Sequence, residues 1–289
     1  MKVSDNNSDS LSEHLSGFQT EKGGVRDRLA LGLQKAGSGS SSRNTGQEVI
    51  LVVVHFRVRG IARFLSHAET VRVFQRACAR AGIEVEYSHG FNPRPRMSLP
   101  LPRTVGVESD DDLLCFRAYC GSAVAPPRPD QPAAEQYKSH IQARLSEQLP
   151  DGFDVLSVNL AEGKASFQPR SATYLFPMQR EQMESLRERL ADRIQLLMDS
   201  KSLNVERQLL AAATHVARRG SRGEGRGVRN LDVRPFLKSI EAGDKDVVVQ
   251  CRIDPVGSIR IEEVLRLLEL DPEKLTAPIR RISVEWQKI

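Results

Sequence analysis

The residues best suited to chemistry gather between positions 63 and 109, most densely in Tyr87-Ser88-His89-Gly90-Phe91-Asn92-Pro93-Arg94-Pro95-Arg96. Each proline fixes its own φ and drives the residue before it out of the helical region. Asn92 to Pro95 should therefore form a stiff extended strip, entered by a turn at Gly90. Arg94 and Arg96 ride on that strip with little backbone entropy left to lose, and Tyr87 and Phe91 lie just upstream. Cations beside aromatics on rigid backbone suit a polyanion with flat bases: the arginines clamp phosphate or carboxylate while Phe91 or Tyr87 stacks. The competing reading is a hairpin loop with Phe91 tucked into the core and both arginines solvated.

Neighbouring residues extend or qualify this. Arg72, Arg76 and Arg80 recur every four residues, one ridge of a helix, which is either a continuation of a phosphate surface or a solvated face. Arg57, Arg59 and Arg63 precede them, so one end of the domain is expected to be strongly positive. His67, in the first turn of the helix, and His89, in the turn before Phe91, would suit metal-independent acid–base cleavage of RNA if they came together. Arg218, Arg219, Arg222, Arg226 and Arg229 stand among glycines between Ala217 and Asn230, as in an arm that orders on RNA or a loop of drifting composition. Asp110-Asp111-Asp112 reads as a solvated turn. There is no Gly-rich phosphate loop, no G-x-S-x-G and no H-E-x-x-H.

The elements that must hold these residues follow from composition and periodicity. The chain has 289 residues, 39% hydrophobic and only 5% aromatic, enough for two domains with aliphatic cores. Net charge is +5, which favours anionic partners weakly. Cys78, Cys115, Cys120 and Cys251 have neither zinc-knuckle nor iron–sulfur spacing and suit free thiols in a reducing cytosol. Neither a hydrophobic leader nor a bilayer-length apolar run is present, so a cytoplasmic protein with no membrane contact is expected. No metal and no cofactor of its own is expected.

Residues 1–46 are rich in Ser, Gly, Asn and charge and read as a disordered tail, with some helix near Arg26 to Lys35. Val49 to Val58 is β-branched, like a strand in mid-sheet. Ser66-His67-Ala68-Glu69 has capping-box spacing and opens a helix that Gly82 closes. Strands at Ile83–Tyr87, Leu113–Tyr119 and Phe153–Leu160, and a helix at Ala134–Leu149, complete a first strand–helix–strand, strand–helix–strand series. Ala172–Pro177, Arg180–Met198, Leu203–Gln208, Asp246–Ile253, Ile261–Leu268 and Ile279–Trp286 repeat it. The expected fold is α+β: two tandem ferredoxin-like (βαββαβ) sandwiches, over 47–162 and 170–289. Right-handed crossovers would put both helices of each unit on one sheet face, leaving the other to bind something or pack on its twin.

Arg63-Phe64-Leu65-Ser66-His67, Arg80-Ala81-Gly82-Ile83, Tyr87 to Ser98 and Gly106-Val107-Glu108-Ser109 together resemble a bacterial radical-SAM-linked family of unknown function. Such proteins are often fused to, or encoded beside, cobalamin-binding radical SAM enzymes. The chain lacks the cluster cysteines, so the resemblance is to the accessory half, and it implies a partner enzyme rather than a chemistry of its own. Glu69 and Ala68 stand where many relatives have an aspartate and an aliphatic residue. The functional expectation is a non-catalytic RNA-binding accessory protein that presents tRNA or rRNA to a radical SAM RNA-modifying enzyme. Arg94, Arg96, Phe91, Tyr87, Arg72, Arg76, Arg80 and Arg63 would form its surface. The alternatives are an RNA-processing enzyme using His67 and His89, and a protein-only scaffold for the radical SAM partner.

Overall fold

The computed structural model describes residues 49–119, 127, 131–162, 165–208 and 228–289. The expected tail, Cys120, and Arg218, Arg219, Arg222 and Arg226 lie outside these residues. The rest is mixed α+β, a large, mostly antiparallel sheet with four helices. In chain order these are β1 (Val49–Val58), α1 (His67–Arg80), β2 (Met97–Ser98), β3 (Glu108–Tyr119), α2 (Pro132–Gln148) and β4 (Phe153–Ala161), then β5 (Phe167–Pro177) and α3 (Arg180–Asp199). There follow β6 (Asn204–Gln208), β7 (Val228–Asp232), β8 (Leu237–Ala242), β9 (Asp246–Asp254), β10 (Gly257–Ser258), α4 (Ile261–Leu268) and β11 (Arg280–Lys288).

The sheet runs β10-β9-β5-β11-β3-β1-β4, with β2 also on β3 and β8 also on β9, while β6 and β7 form a separate hairpin. In the first half the strand order is thus β4-β1-β3-β2, and in the second β11-β5-β9-β8. The halves join edge to edge, by the parallel pairing of Arg280 with Glu108 and Arg281 with Ser109. Between residues 83 and 87 the expected strand is reduced to bridges of Val85 to Ala118 and Tyr87 to Pro95. Among the described residues no helix is long and apolar enough to cross a membrane.

Alternation on β1 explains its hydrophobic run. Val52, Val54, Phe56 and Val58 face α1 and α2, while Leu51 and Val53 face the other side, where Leu113, Cys115, Phe167 and Trp286 meet them. Under the helices Phe56, Phe74 and Phe153 form an aromatic cluster, with ring centroids 4.6, 5.7 and 6.3 Å apart. The second core lies between α3, α4 and the face of β5, β8 and β9, with Phe176, Val247 and Val249 fully buried. The capping box is present: Ser66 Oγ accepts from Glu69 N, and the Glu69 carboxylate accepts from Ser66 N at 2.8 Å. Gly82 ends the helix at φ +65.

Two expectations are corrected. Asp110-Asp111-Asp112 is part of β3 and not a turn, and each carboxylate finds a partner across the sheet. Asp111 bonds His55 Nδ1 at 2.6 Å, Asp110 meets Arg57, Arg59 and Arg280, and Asp112 is buried against Arg281 at 2.5 Å. The same pairing offsets the charge of Arg57 and Arg59 at the end expected to be positive, while Arg63 has no carboxylate partner among the described residues and keeps its charge. Arg57 also faces Asp154, Arg59 bonds Glu108, and Arg63 donates to the Gly60 carbonyl and lies 4.3 Å from the centre of the Phe64 ring.

Candidate nucleic-acid interface

The proline-braced loop is anchored by a ring of backbone hydrogen bonds. Glu86 N donates to Arg117 O (2.7 Å), Arg117 N to Arg96 O (3.0 Å), and Arg96 N back to Glu86 O (2.7 Å). Both legs of the loop are thereby fixed to one residue of β3. Above this foot Ser88 N donates to Arg94 O (2.8 Å), and Arg94 N donates to Ser88 Oγ (3.0 Å). Gly90 sits at φ +129, a value side chains rarely tolerate. The tip is thus a short braced hairpin.

Its side chains separate into two groups. Phe91 is 106% exposed and Tyr87 half exposed, so neither enters the core. Arg94 is exposed and has no carboxylate partner among the described residues. Arg96, two positions on, turns toward the foot, where its Nε lies 3.5 Å from Glu86; Arg117 approaches the same carboxylate at 3.6 Å. The expected pair of outward arginines is therefore one outward arginine at the tip and one at the base.

The helix ridge is also uneven. Arg72 and Arg76 are exposed, but Arg80 donates to the Gln148 carbonyl at 2.6 Å and to its side chain at 3.2 Å, clamping α1 to the end of α2. Hydrogen bonds from Ser66, with a smaller contribution from Arg72, hold the Glu69 carboxyl below its ordinary value. His67 and His89 are both exposed, and neither makes a hydrogen bond or ion pair among the described residues. Arg229 lies in β7, opposite Arg207.

Sequence reasoning missed a cleft at the foot of the loop. Its volume is about 490 Å³, and Leu51, Met97, Cys115, Phe167, Arg96 and Arg117 line it. It runs along β3 beyond the two residues that pair with β11. Alternation could have placed Cys115 and Arg117 on one face of a strand. Nothing local could have brought Phe167 there. Burial pushes the Cys78, Cys115 and Cys251 thiols up to about 12, so at neutral pH they are protonated and poor nucleophiles. Among the described residues no group of three or more His, Cys, Asp and Glu side chains could hold a metal ion.

A buried polar knot lies at the junction of the halves. Arg281, 1% exposed, bonds Asp112, donates to the Pro102 carbonyl at 3.1 Å and meets Tyr174. Ser109 Oγ donates to the same carboxylate. Arg103 lies 3.8 Å from Asp112 and donates to the carbonyls of Arg63 and Val107 at 2.7 and 2.8 Å. Burial lowers the Arg103 pKa; Asp112 opposes that shift and Arg281 adds to it. One carboxylate thus serves two buried guanidinium groups, a structural arrangement in which Arg103 ties down the 62–65 segment that leads into α1.

A search of curated proteins finds no match. The family described as an uncharacterised protein conserved in bacteria, DUF2344, matches residues 52–266. That stretch holds the braced loop, the lining of the cleft apart from Leu51, and the helical layers apart from the last two residues of α4. The chain therefore belongs to this bacterial family.

Proposed function

We propose that this protein is a non-catalytic, cytoplasmic RNA-binding accessory protein, built on two ferredoxin-like halves, that presents tRNA or rRNA to a radical SAM RNA-modifying enzyme. The reading of the fold is supported by the strand orders β4-β1-β3-β2 and β11-β5-β9-β8, each the order of a βαββαβ sandwich. The partner is supported by the residues of the 63–109 segment quoted above. The observation that carries RNA binding is an exposed Phe91 beside an Arg94 with no carboxylate partner among the described residues, on a loop whose backbone is already ordered. An exposed aromatic on ordered backbone offers its π-face to an unstacked base. A base stacked on an aromatic contributes about 1–3 kcal/mol, and prior ordering of the loop preserves that gain.

The test is filter binding of cellular tRNA and rRNA across a salt series. Phe91→Ala should weaken binding about 5- to 150-fold with the slope unchanged. Arg94→Ala should reduce the slope of log K against log salt by about 0.7–0.9. Equal affinities and equal slopes for wild type and both variants would remove the loop as the contact. Co-purification of a radical SAM enzyme before and after nuclease treatment tests the partner.

A further inference from the structure

We propose that the cleft at the foot of the braced loop is a pocket for one ribonucleoside monophosphate unit, its phosphate between Arg96 and Arg117 and its base against Met97 and Phe167. The inference rests on the reading of RNA as the guest, but on different residues. Three observations carry it.

The first is unfilled hydrogen-bonding capacity. Arg96 and Arg117 approach Glu86 at 3.5 and 3.6 Å, too far for good hydrogen bonds, and neither guanidinium makes one elsewhere among the described residues. Glu86 Oε2 is buried and likewise has no hydrogen-bond partner. Two planar forks of donors thus face a cavity with a single distant carboxylate, leaving a net positive charge. Guanidinium forks match phosphate oxygens bidentately.

The second is the rest of the wall. Leu51, Met97, Cys115, Phe167 and Pro169 are apolar, Ser98, Ser166 and Gln168 add polar groups, and the volume of about 490 Å³ falls within the usual range for small-molecule sites. A flat ring meets a thioether and an aromatic edge favourably. The anion to be held is therefore one that carries a flat body with apolar faces for Met97 and Phe167 and polar edges for Ser98, Ser166 and Gln168.

The third is continuity. Phe91 and Arg96 are five residues apart, so at most about 17 Å of extended backbone separates the exposed tip from the cleft. An RNA strand stacked at the tip can lead its next nucleotides down to the foot.

Trp286 makes the test direct. It is the chain's only tryptophan, and it packs in the same cluster as Leu51, Cys115 and Phe167. Its fluorescence, corrected for absorbance, should respond saturably to at least one of the four ribonucleoside 5′-monophosphates. The matching nucleoside and ribose 5-phosphate should each bind at least about tenfold more weakly. Arg117→Gln should weaken the nucleotide about tenfold or more, the value of a charged hydrogen bond. Glu86→Gln should tighten it several-fold, because it releases both guanidinium groups. That gain cannot come from damage to the fold, so it decides the matter even if Arg117→Gln fails to fold. No saturation by about 10 mM would overturn the pocket. So would ribose 5-phosphate binding as well as the nucleotide, or Glu86→Gln weakening it. The RNA reading fails separately, through unchanged salt slopes for the tip variants. Nucleotide binding without RNA binding would leave a mononucleotide pocket and remove the RNA guest.

Discussion

At the scale of single residues, position along the loop decides the role. Arg94 and Arg96 are chemically identical, two apart and both exposed, yet only Arg96 leans on a carboxylate, Glu86. The sequence made the rigidity of this strip legible, because the φ restriction of proline is local. It left the fate of each guanidinium open, because that depends on Glu86 and Arg117, brought alongside by sheet pairing. Gly152 is another residue whose demand comes from afar. It sits at φ +90, and a Cβ there would lie 2.5 Å from the Arg59 carbonyl and 2.9 Å from Ala62 Cβ. Gly106 has nearly the same φ, +88, with open space around it. Gly106→Ala should therefore cost only backbone strain, about 1–3 kcal/mol. Gly152→Ala should cost clearly more in a urea titration. Equal losses would mean that the close approach to Arg59 relaxes freely.

Among elements, local signals read well and pairings across the sheet did not. The Ser66 and Glu69 spacing fixes the start of α1, and the 3.6-residue periodicity of 261–268 places α4. β8 was missed altogether, since Leu237–Ala242 is short and its buried positions are only Leu237 and Ile240. The clamp between β6 and α4 was equally invisible. Glu263 accepts two hydrogen bonds from Arg207, at 2.7 and 2.8 Å, and one from Arg260 N at 2.8 Å. Burial alone would raise the Glu263 pKa, but these bonds outweigh it and leave the pKa below its ordinary 4.5. A depressed carboxyl contributes stability above its unfolded pKa and loses it as pH falls through the folded one. Glu263→Gln should therefore lower the urea midpoint at pH 7, with the difference from wild type shrinking progressively below about pH 4.5. A difference independent of pH would mean that the clamp acts by packing alone.

For the whole molecule, the question is whether the halves are separate bodies. Repetition of strand and helix signals led to the expectation of two tandem sandwiches, over 47–162 and 170–289. It gave no sign that β11 would complete one half and reach the other, since Arg281 and Asp112 lie 169 positions apart. With one sheet through both halves, we expect a single cooperative unfolding transition with coincident Trp286 fluorescence and circular dichroism curves. The knot at the seam should respond asymmetrically. Arg281→Met leaves Asp112 beside Arg103 and should cost about 3–5 kcal/mol. Asp112→Asn strips the anion from two buried cations and should cost more. The reverse order would mean that backbone carbonyls, and not the carboxylate, neutralise Arg103.

The central place of β11 also bears on synthesis. Late in the synthesis of residues 180–279, once β3 and β5 have left the ribosome, the edges that β11 will join are still uncovered. Such edges attract stray strands. Nascent chains stalled before residue 280 should accordingly depend on chaperones far more than chains released past it.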